Sequence, residues 1–452
     1  MSYTSNVGGK LIVKAKGDIK TYAKEDIVFN AGKTISFKGD EKGVSFGKPE
    51  TLKNDNENFD ISFSLNKNSK SLVPLGILDF ENKFENSFFN FDYLLRVTNL
   101  DSLNFEVFDE DGNTIYQINN LAPIVVTAQK LPLLFNKLKE ETPPFDPLKP
   151  IKTFDIQAII NDFLYPDLTH TGSYAILWDG FDNNNVYDST RFNGKKLKAK
   201  ITAKKGGTTK TKEVEFETKY NEVDWVDVKI DKNRKRVDVT LRVDLKEADI
   251  QKSVNKTFND LLSITIEGLK KYWGRNKTRS IGDNVKIGNL SYEIFINPVN
   301  NDSKSMPTLN VFASTEDYGR SRNWWASRKL FYNDGYHYFF YSKSRLSLSI
   351  NDGVLEDEKE FKHTAAHEIG HEILQAFGGK NNYSYIHKGT STLLTQDVKK
   401  ESVLPLSGEI DLMKYYSDDY INIRSINSFY ERNIASETDV LGLLWLTKLK
   451  IK

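Results

Sequence analysis

The chain has 452 residues, of which 38% are hydrophobic, and its 63 basic and 62 acidic side chains give a formal net charge of +1. This length supports two to four domains, and the nearly neutral charge argues against a nucleic-acid-binding protein, which needs a basic surface. The sequence contains no cysteine. Disulfides and thiolate ligands are therefore excluded, and any bound zinc must be held by His, Asp or Glu.

Short strand-like segments, such as residues 10–15 and 33–37, follow one another at nearly even spacing over residues 10–46. An apolar residue at about every second position, with a turn about every eight residues, is typical of a stacked β-solenoid, and a plain β-meander fits the same pattern. The repeats resemble those of the needle-like β-helices in type VI secretion spike proteins. We therefore assign residues 1–50 to a spike-like β-repeat segment.

Residues 51–122 are predicted to form a small β module. Strand-like segments span 59–65, 93–97 and 104–108. The Asp-Gly pair within residues 110–113 predicts a hairpin turn. Either a small sandwich or an extension of the first module fits this pattern.

A proline-rich segment separates the first modules from the rest of the chain. Six of the twelve prolines fall within residues 123–150, which predicts an extended, stiff linker. Residues 123–130 within it resemble a joint that recurs in modular secreted proteins of Bacteroidetes. The linker is therefore expected to divide separate folded bodies.

A second β module is predicted for residues 151–245. Segments 224–230 and 236–243 alternate strictly on either side of a four-residue turn, which predicts a long hairpin. The Trp-Asp-Gly turn at Trp178, with the strand-like residues around it, resembles the Ig-like repeat of flagellar hook-capping proteins. The resemblance implies an Ig-like β-sandwich for this module.

The character of the sequence changes at Lys246, where we place the start of a C-terminal domain spanning residues 246–452. Apolar residues at spacings of three and four predict an amphipathic helix over residues 247–273. The later predicted elements are strands at 291–297, 308–312 and 346–350, a helix at 359–377, and a last helix after the capping residues 436–439.

His367, Glu368 and His371 form the pattern His-Glu-x-x-His. Residues four apart lie on one face of a helix, so both histidines can bind one metal ion. Glu368 lies beside the first ligand, where it can act as general base toward a zinc-activated water. This pattern is the mark of zinc-dependent peptidases, and the surrounding helices and strands resemble the zincin layout. The fold class predicted for the whole chain is thus multidomain, with β-rich N-terminal modules followed by an α+β zincin-like catalytic domain that binds Zn²⁺.

A catalytic zinc site needs a third protein ligand, which the motif itself does not supply. The extended metzincin pattern fails here, because Leu374 and Phe377 occupy its Gly and third His positions. We favour His387, which follows a Gly-Gly helix stop that lets the chain return toward the metal. Glu409 and Glu437 are the alternatives, because gluzincins take a glutamate from a following helix.

Two residues near the metal are predicted from a resemblance. Residues 410–416 resemble the Met-turn of metzincins, which implies that Met413 lies beneath the zinc histidines and that Tyr415 stabilises the oxyanion. An ordinary buried methionine with core tyrosines fits the same residues. His363, four residues before His367, is interpreted as a solvated side chain, with an accessory role at the metal as the alternative.

The order of modules resembles polymorphic-toxin or type VI secretion effectors of Bacteroidetes, in which delivery modules precede a metallopeptidase toxin domain. Residues 365–390 carry the strongest likeness. The resemblance implies a zinc metallopeptidase acting on a protein or peptide substrate, with secretion-spike components and an immunity protein as partners. Two alternatives stay open: a zinc amidase or endopeptidase acting on peptidoglycan cross-links, and a non-catalytic secreted binding protein with a structural zinc.

Localisation is predicted from the same resemblance and from the sorting signals that the sequence lacks. The first residues contain no apolar signal-peptide region, and no run of about 18 apolar residues occurs. We expect a protein made in the cytoplasm without a signal peptide and not inserted into a membrane. Export by a contractile secretion system to the extracellular space or a target cell would follow.

Overall fold

The computed structural model describes residues 59–121, 125–127, 172–301, 303–315, 319–335, 350–379, 385–417 and 426–452, apart from residues 67, 98, 99, 120, 251, 252 and 254. Apart from Phe59, these residues belong to the second of two compact units, Asp60–Lys452. The predicted β-repeat at residues 1–50 lies outside the described residues. So does most of the predicted linker, although its residues Val125–Thr127 form a strand.

The described part of the chain contains twenty-one strands and four α-helices. The strands are β1 (Ile61–Leu65), β2 (Ser71–Leu72), β3 (Phe89–Leu95), β4 (Ser102–Phe108), β5 (Thr114–Ile118), β6 (Val125–Thr127), β7 (Gly172–Trp178), β8 (Val186–Asp188), β9 (Lys195–Lys205), β10 (Thr208–Tyr220), β11 (Val226–Asp231), β12 (Arg236–Val243), β13 (Leu245–Asp249), β14 (Val285–Ile287), β15 (Leu290–Asn300), β16 (Leu309–Ser314), β17 (Arg322–Trp324), β18 (Ser327–Asn333), β19 (Ile410–Asp411), β20 (Asn433–Ile434) and β21 (Leu449–Ile451). The helices are α1 (Phe258–Trp273), α2 (Ile350–Gly379), α3 (Ile426–Arg432) and α4 (Glu437–Trp445).

Two antiparallel sheets pack face to face across an aromatic core. Their strand orders are β1-β3-β7-β6 and β2-β21-β10-β9-β4-β5. Phe91 of β3 lies 5.3 Å from Phe105 of β4 and 5.7 Å from Phe216 of β10, measured between ring centroids. Aromatic pairs of this kind contribute about 0.5–1.5 kcal/mol each beyond the area that they bury. The β-rich character predicted from the sequence is confirmed.

Strand pairing crosses the predicted domain boundaries. In a mixed sheet of order β14-β15-β12-β11-β8, strand β12 runs parallel to β15, with Val237 opposite Ile294. Strand β21 lies between β2 and β10, with Leu449 opposite Leu72. The boundaries predicted at residues 122 and 245 therefore lie inside one compact unit. The predicted long hairpin is present as β11 and β12.

The helix predicted over residues 247–273 is wrong in its first part. Leu245–Asp249 form β13, which pairs in parallel with β16, and α1 begins only at Phe258. Thr257 caps α1, because its Oγ1 accepts a hydrogen bond from the backbone N–H of Asp260 while the Asp260 carboxylate accepts one from the Thr257 N–H. A strand partner distant in sequence thus overrides the helical spacing of the segment.

The helix that carries the His-Glu-x-x-His motif is longer than predicted and is held closely by its neighbours. Helix α2 ends at Gly379, whose φ of +75° is the left-handed conformation expected at the Gly-Gly stop. The helix starts at Ile350, which is the last residue of the strand predicted at 346–350. The other four residues of that predicted strand lie outside the described residues. A Cβ at Gly268 would lie 2.4 Å from the carbonyl oxygen of Lys362, so α1 and α2 are in close backbone contact.

The sheet of order β13-β16-β18-β17 places its edge strand β17 beside α2. Nδ2 of Asn323 in β17 donates a 2.9 Å hydrogen bond to the carbonyl oxygen of Glu368. The last helix, α4, begins after the predicted capping box of Ser436 and Asp439, which is confirmed. Among the described helices, none is both long and apolar enough to span a membrane.

Candidate metal centre

Three buried histidines come together at the middle of α2. His367 and His371 lie one turn apart on this helix, and His387 lies on the short 3₁₀ turn His387–Gly389 that follows it. One ligand nitrogen of each residue lies within 4.8 Å of the others. These three histidines form a group that can hold a metal ion, and His387 joins it as the sequence predicts.

Hydrogen bonds orient two of these imidazoles. Nδ1 of His367 lies 2.7 Å from the carbonyl oxygen of Leu412, and Nδ1 of His387 lies 2.8 Å from Oγ of Ser391. A carbonyl oxygen accepts only, so Nδ1 of His367 carries the proton and Nε2 keeps its lone pair. The Nε2 atoms of His367 and His387 are buried and lack a hydrogen-bond partner among the described residues. Both atoms therefore have the arrangement of metal ligands.

Burial keeps the three histidines neutral. It lowers the pKa of His367, lowers that of His387 to about 2, and lowers that of His371 well below its ordinary value. The other imidazoles of the group add to the effect at His371 and His387, because neighbouring positive charges would repel each other. A neutral imidazole is the form that binds a metal, so no proton has to be displaced near neutral pH.

A buried charged cluster holds the turn that carries His387. His387 and Lys388 have φ values of +45° and +55°, a left-handed conformation that side chains disfavour. Nζ of Lys388 lies 2.5 Å from Asp411 and 2.9 Å from Asp439. Burial acts to lower the pKa of Lys388, but the two carboxylates outweigh it and raise the pKa above its ordinary value. The ion pairs therefore tie the His387 turn to Asp411 of β19 and to Asp439 of α4.

Met413 packs against the motif helix from the segment that carries Leu412. It is fully buried, and its side chain packs against Gly370, between the histidines of α2. The backbone N–H of Met413 donates a 3.0 Å hydrogen bond to Oδ1 of Asp411. Nε1 of Trp273 donates to the carbonyl oxygen of Ala366 at 3.1 Å, which closes the same side of the helix. Met413 therefore lies against the turn of α2 that connects His367 and His371.

Glu368 presents a buried carboxyl group beside the histidines. The residue is 6% exposed, and Oε2 has no hydrogen-bond partner among the described residues. Burial raises the pKa of Glu368 to about 8, while a hydrogen bond from the Asn323 backbone and the charges of Arg320 and Arg322 act in the opposite direction. An acid with this pKa exchanges its proton near neutral pH.

The centre opens into a cleft of about 540 Å³. Residues 320–325 at β17, Glu368 and His371 of α2, and residues 393–396 line this cleft together with Tyr415. The ring of Tyr415 stacks on that of His387 at 3.6 Å between centroids. A molecule in the cleft therefore has access to Glu368, His371 and Tyr415 at once.

The alternative ligands lie outside the group. Arg275 donates to both carboxylate oxygens of Glu409, at 2.7 and 3.0 Å, and lies 4.0 Å from Glu437. The ring of His363 packs against the rings of Tyr272 and Tyr430. The interpretation of His363 as a solvated side chain is therefore wrong. Burial lowers its pKa to about 3. Aromatic neighbours distant in sequence account for the difference.

The departures from the extended metzincin pattern have a packing explanation. Phe377, at the place of a third histidine, packs on Trp445 at 5.5 Å between centroids and fills the space beside Gly442.

The sequence did not predict roles for Asn323, which binds the Glu368 backbone, or for Lys388, which holds the His387 turn. Lys388 adjoins His387, but only the fold reveals its two carboxylate partners.

Neither a protein-family model nor a curated protein matches this chain. Among solved structures, apo β-glucuronidase 3 of Bacteroides uniformis is similar with a TM-score of 0.14, and β-glucuronidase of Parabacteroides merdae with glycerol in its active site is similar with a TM-score of 0.12. Each comparison has 9% identity over 58% of this chain and covers 24% of the glucuronidase. The chain thus spans about a quarter of their length, and scores this low carry no argument about fold or function.

Proposed function

We propose that the chain is a zinc-dependent metallopeptidase that cleaves peptide bonds in a protein or peptide substrate. The observation that carries the proposal is the meeting of three buried histidines and the Glu368 carboxyl group beside one open cleft. Both the metal-binding atoms and a proton-transfer group are then available to a bound substrate. This combination is what metal-assisted hydrolysis requires.

The donor set favours zinc as the metal. Three imidazole nitrogens without thiolates suit a catalytic zinc, which keeps a fourth position open for water or substrate. His367, His371 and His387 would hold the ion, and the hydrogen bonds at Leu412 and Ser391 would fix the orientation of two of them. When bound, zinc polarises a carbonyl group and lowers the pKa of water toward neutrality.

The residues of this chain would then move the protons. The Glu368 carboxylate takes a proton from the attacking water and passes it to the leaving amine, for which a pKa near neutrality is suited. Tyr415 stacks on His387 at the cleft, and its hydroxyl would donate a hydrogen bond to the oxyanion. These roles assign one group to proton transfer and one to charge stabilisation.

The strand beside the cleft supports a peptide substrate. Strand β17 is the edge strand of its sheet, so its outer backbone groups have no strand partner among the described residues. An extended peptide can pair with such an edge.

The number of ligands argues against the alternative of a non-catalytic protein with a structural zinc. A structural zinc is normally closed by four ligands, and the described group has three. The same proposal includes delivery by a contractile secretion system as an effector toxin, and the resemblance of the sequence to secreted effectors supports it.

The test compares Glu368→Gln with Glu267→Gln, a control on α1 whose exposed carboxylate pairs with Lys362 at 2.7 Å. Zinc content and cleavage of a denatured protein are measured for each. We expect Glu368→Gln to keep its zinc and to lose activity by roughly 10²–10⁴-fold, while the control keeps both. Full activity of Glu368→Gln would refute its role. Chelator-sensitive cleavage of peptidoglycan sacculi, without cleavage of protein, would favour the amidase alternative.

A further inference from the structure

We propose that the cleft selects peptides that carry a carboxylate group beside the scissile bond, and that Arg320 and Arg322 bind this carboxylate. The inference rests on the proposed peptidase function, because it names the substrate class of the same site. It adds two specificity-determining residues that neither the motif nor the metal-binding group includes.

Two exposed arginines give the cleft a positive charge. Arg320 and Arg322 both line it and are both exposed, and Glu368 is the carboxylate in the lining. Among the residues that the structure describes, no acidic side chain forms an ion pair with either arginine. Two other arginines of the same region are paired, since Arg328 lies 3.4 Å from Glu372 and Arg275 binds Glu409. The cleft arginines thus retain unused binding capacity for an anion.

Strand β17 holds Arg322 beside the motif helix. Side chains alternate along a strand, so Arg322 and Trp324 lie on one face and Asn323 on the other. Asn323 is buried against α2, where its Nδ2 binds the carbonyl oxygen of Glu368. Arg322 therefore belongs to the strand that lies beside the motif, and Arg320 precedes it by two residues. Both arginines line the same cleft as Glu368 and His371, so a carboxylate bound by this pair lies in the cleft that holds the reacting groups.

The guanidinium group of an arginine is suited to binding a carboxylate. Its fork of N–H donors matches the two oxygens of a carboxylate, and such charge-assisted bonds are stronger than neutral ones. The two positive charges also offset the repulsion that an acidic substrate would meet from Glu368. A cationic peptide would be repelled instead, so the arginines discriminate between substrates by charge.

The experiment measures peptide binding to the zinc-loaded full chain with Glu368→Gln, so that affinity is read without cleavage. The probes are matched fluorescent peptides with Glu, Gln or Lys at one position, each with a free or an amidated C-terminus. We expect the Glu peptide to bind about tenfold more tightly than the Gln peptide. Replacing both cleft arginines with Gln should remove this difference and leave the affinity for the Gln peptide unchanged. Added salt should weaken only the Glu peptide.

Arg234→Gln is the matched control, since this arginine is 80% exposed and lies in the β11–β12 turn. It should leave all affinities unchanged. A difference between free and amidated peptides, without one between Glu and Gln, would assign the carboxylate to the end of the substrate chain. Equal binding of all peptides, no binding of any, or a preference that survives loss of both cleft arginines would overturn the inference.

Cleavage by the wild-type protein separates this inference from the proposed function. Cleavage of the Glu, Gln and Lys peptides at equal rates would keep the peptidase and refute the selection by charge. Arginine-dependent binding of the Glu peptide without any cleavage would keep the selection and refute the peptidase.

Discussion

Met413 packs against Gly370 at the point where a side chain on the glycine would strike it. A Cβ at Gly370 would lie 2.4 Å from Sδ of Met413 and 2.9 Å from Cζ2 of Trp273. Met413 follows Leu412, whose carbonyl oxygen accepts the hydrogen bond of His367. The glycine within the motif therefore lets the orienting segment approach α2 closely.

Gly370→Ala is expected to lower the free energy of unfolding by about 1–3 kcal/mol, because overpacking outweighs the better helix propensity of alanine. In the same protein, Met413→Ala relieves the clash, so the double variant should lose less than the sum of the single losses. Chemical denaturation measures these values. Gly207→Ala is the control, since its Cβ meets nothing within 4 Å. Strictly additive losses would contradict the contact.

His387→Ala is expected to weaken zinc binding by about 100-fold or more, because it removes one of three ligands. Competition with a chromophoric chelator measures the affinity. His363→Gln is the control, because His363 lies on the same helix but outside the ligand group. If His387→Ala keeps both full zinc affinity and full activity, the third ligand is another residue.

Tyr415→Phe is expected to lower kcat by roughly tenfold to a thousandfold, because it removes one donor to the oxyanion. Zinc content should not change, since the tyrosine is not a ligand. Tyr416→Phe provides the comparison: its hydroxyl accepts a 3.0 Å hydrogen bond from the N–H of Asp411, so its loss affects stability and not kcat. Equal kcat values for both variants would remove Tyr415 from the mechanism.

The metal-free protein should show a pH dependence that comes from Glu368. Burial raises the pKa of its carboxyl from 4.5 to about 8, so the folded state holds a proton that the unfolded chain releases. This contribution to stability is fully present below about pH 4.5 and is lost as the pH rises toward about 8. The stability of wild type relative to Glu368→Gln should therefore fall by up to about 1.4 kcal/mol per pH unit in this range. Denaturation with a chelator present measures it, and a constant difference would contradict the shift.

The ligand group was readable from the sequence because its geometry is largely local. Helical spacing alone brings His367 and His371 to one face, and the Gly-Gly stop indicates where the chain turns back before His387. The capping box of Ser436 and Asp439 is local in the same way, and it fixed the start of α4.

Features that depend on distant partners could not be read in this way. Leu245–Asp249 become a strand because β16 lies beside them. Glu409 is a plausible ligand until Arg275 is seen to bind it. Lys388 looks like a solvent-exposed lysine until two carboxylates surround it. In each case a contact between residues far apart in sequence decides the role of the side chain.

Strand β21 has a consequence for the order of folding. Its Leu449 pairs with Leu72 on one side and Tyr220 on the other, so this sheet closes a very long loop of chain. Closing such a loop costs conformational entropy before the strand contacts form and offset the cost, which makes the step slow. All three histidines lie within that loop. The speed of chain closure, and not the supply of metal, is therefore expected to limit how soon a newly unfolded molecule regains a working centre.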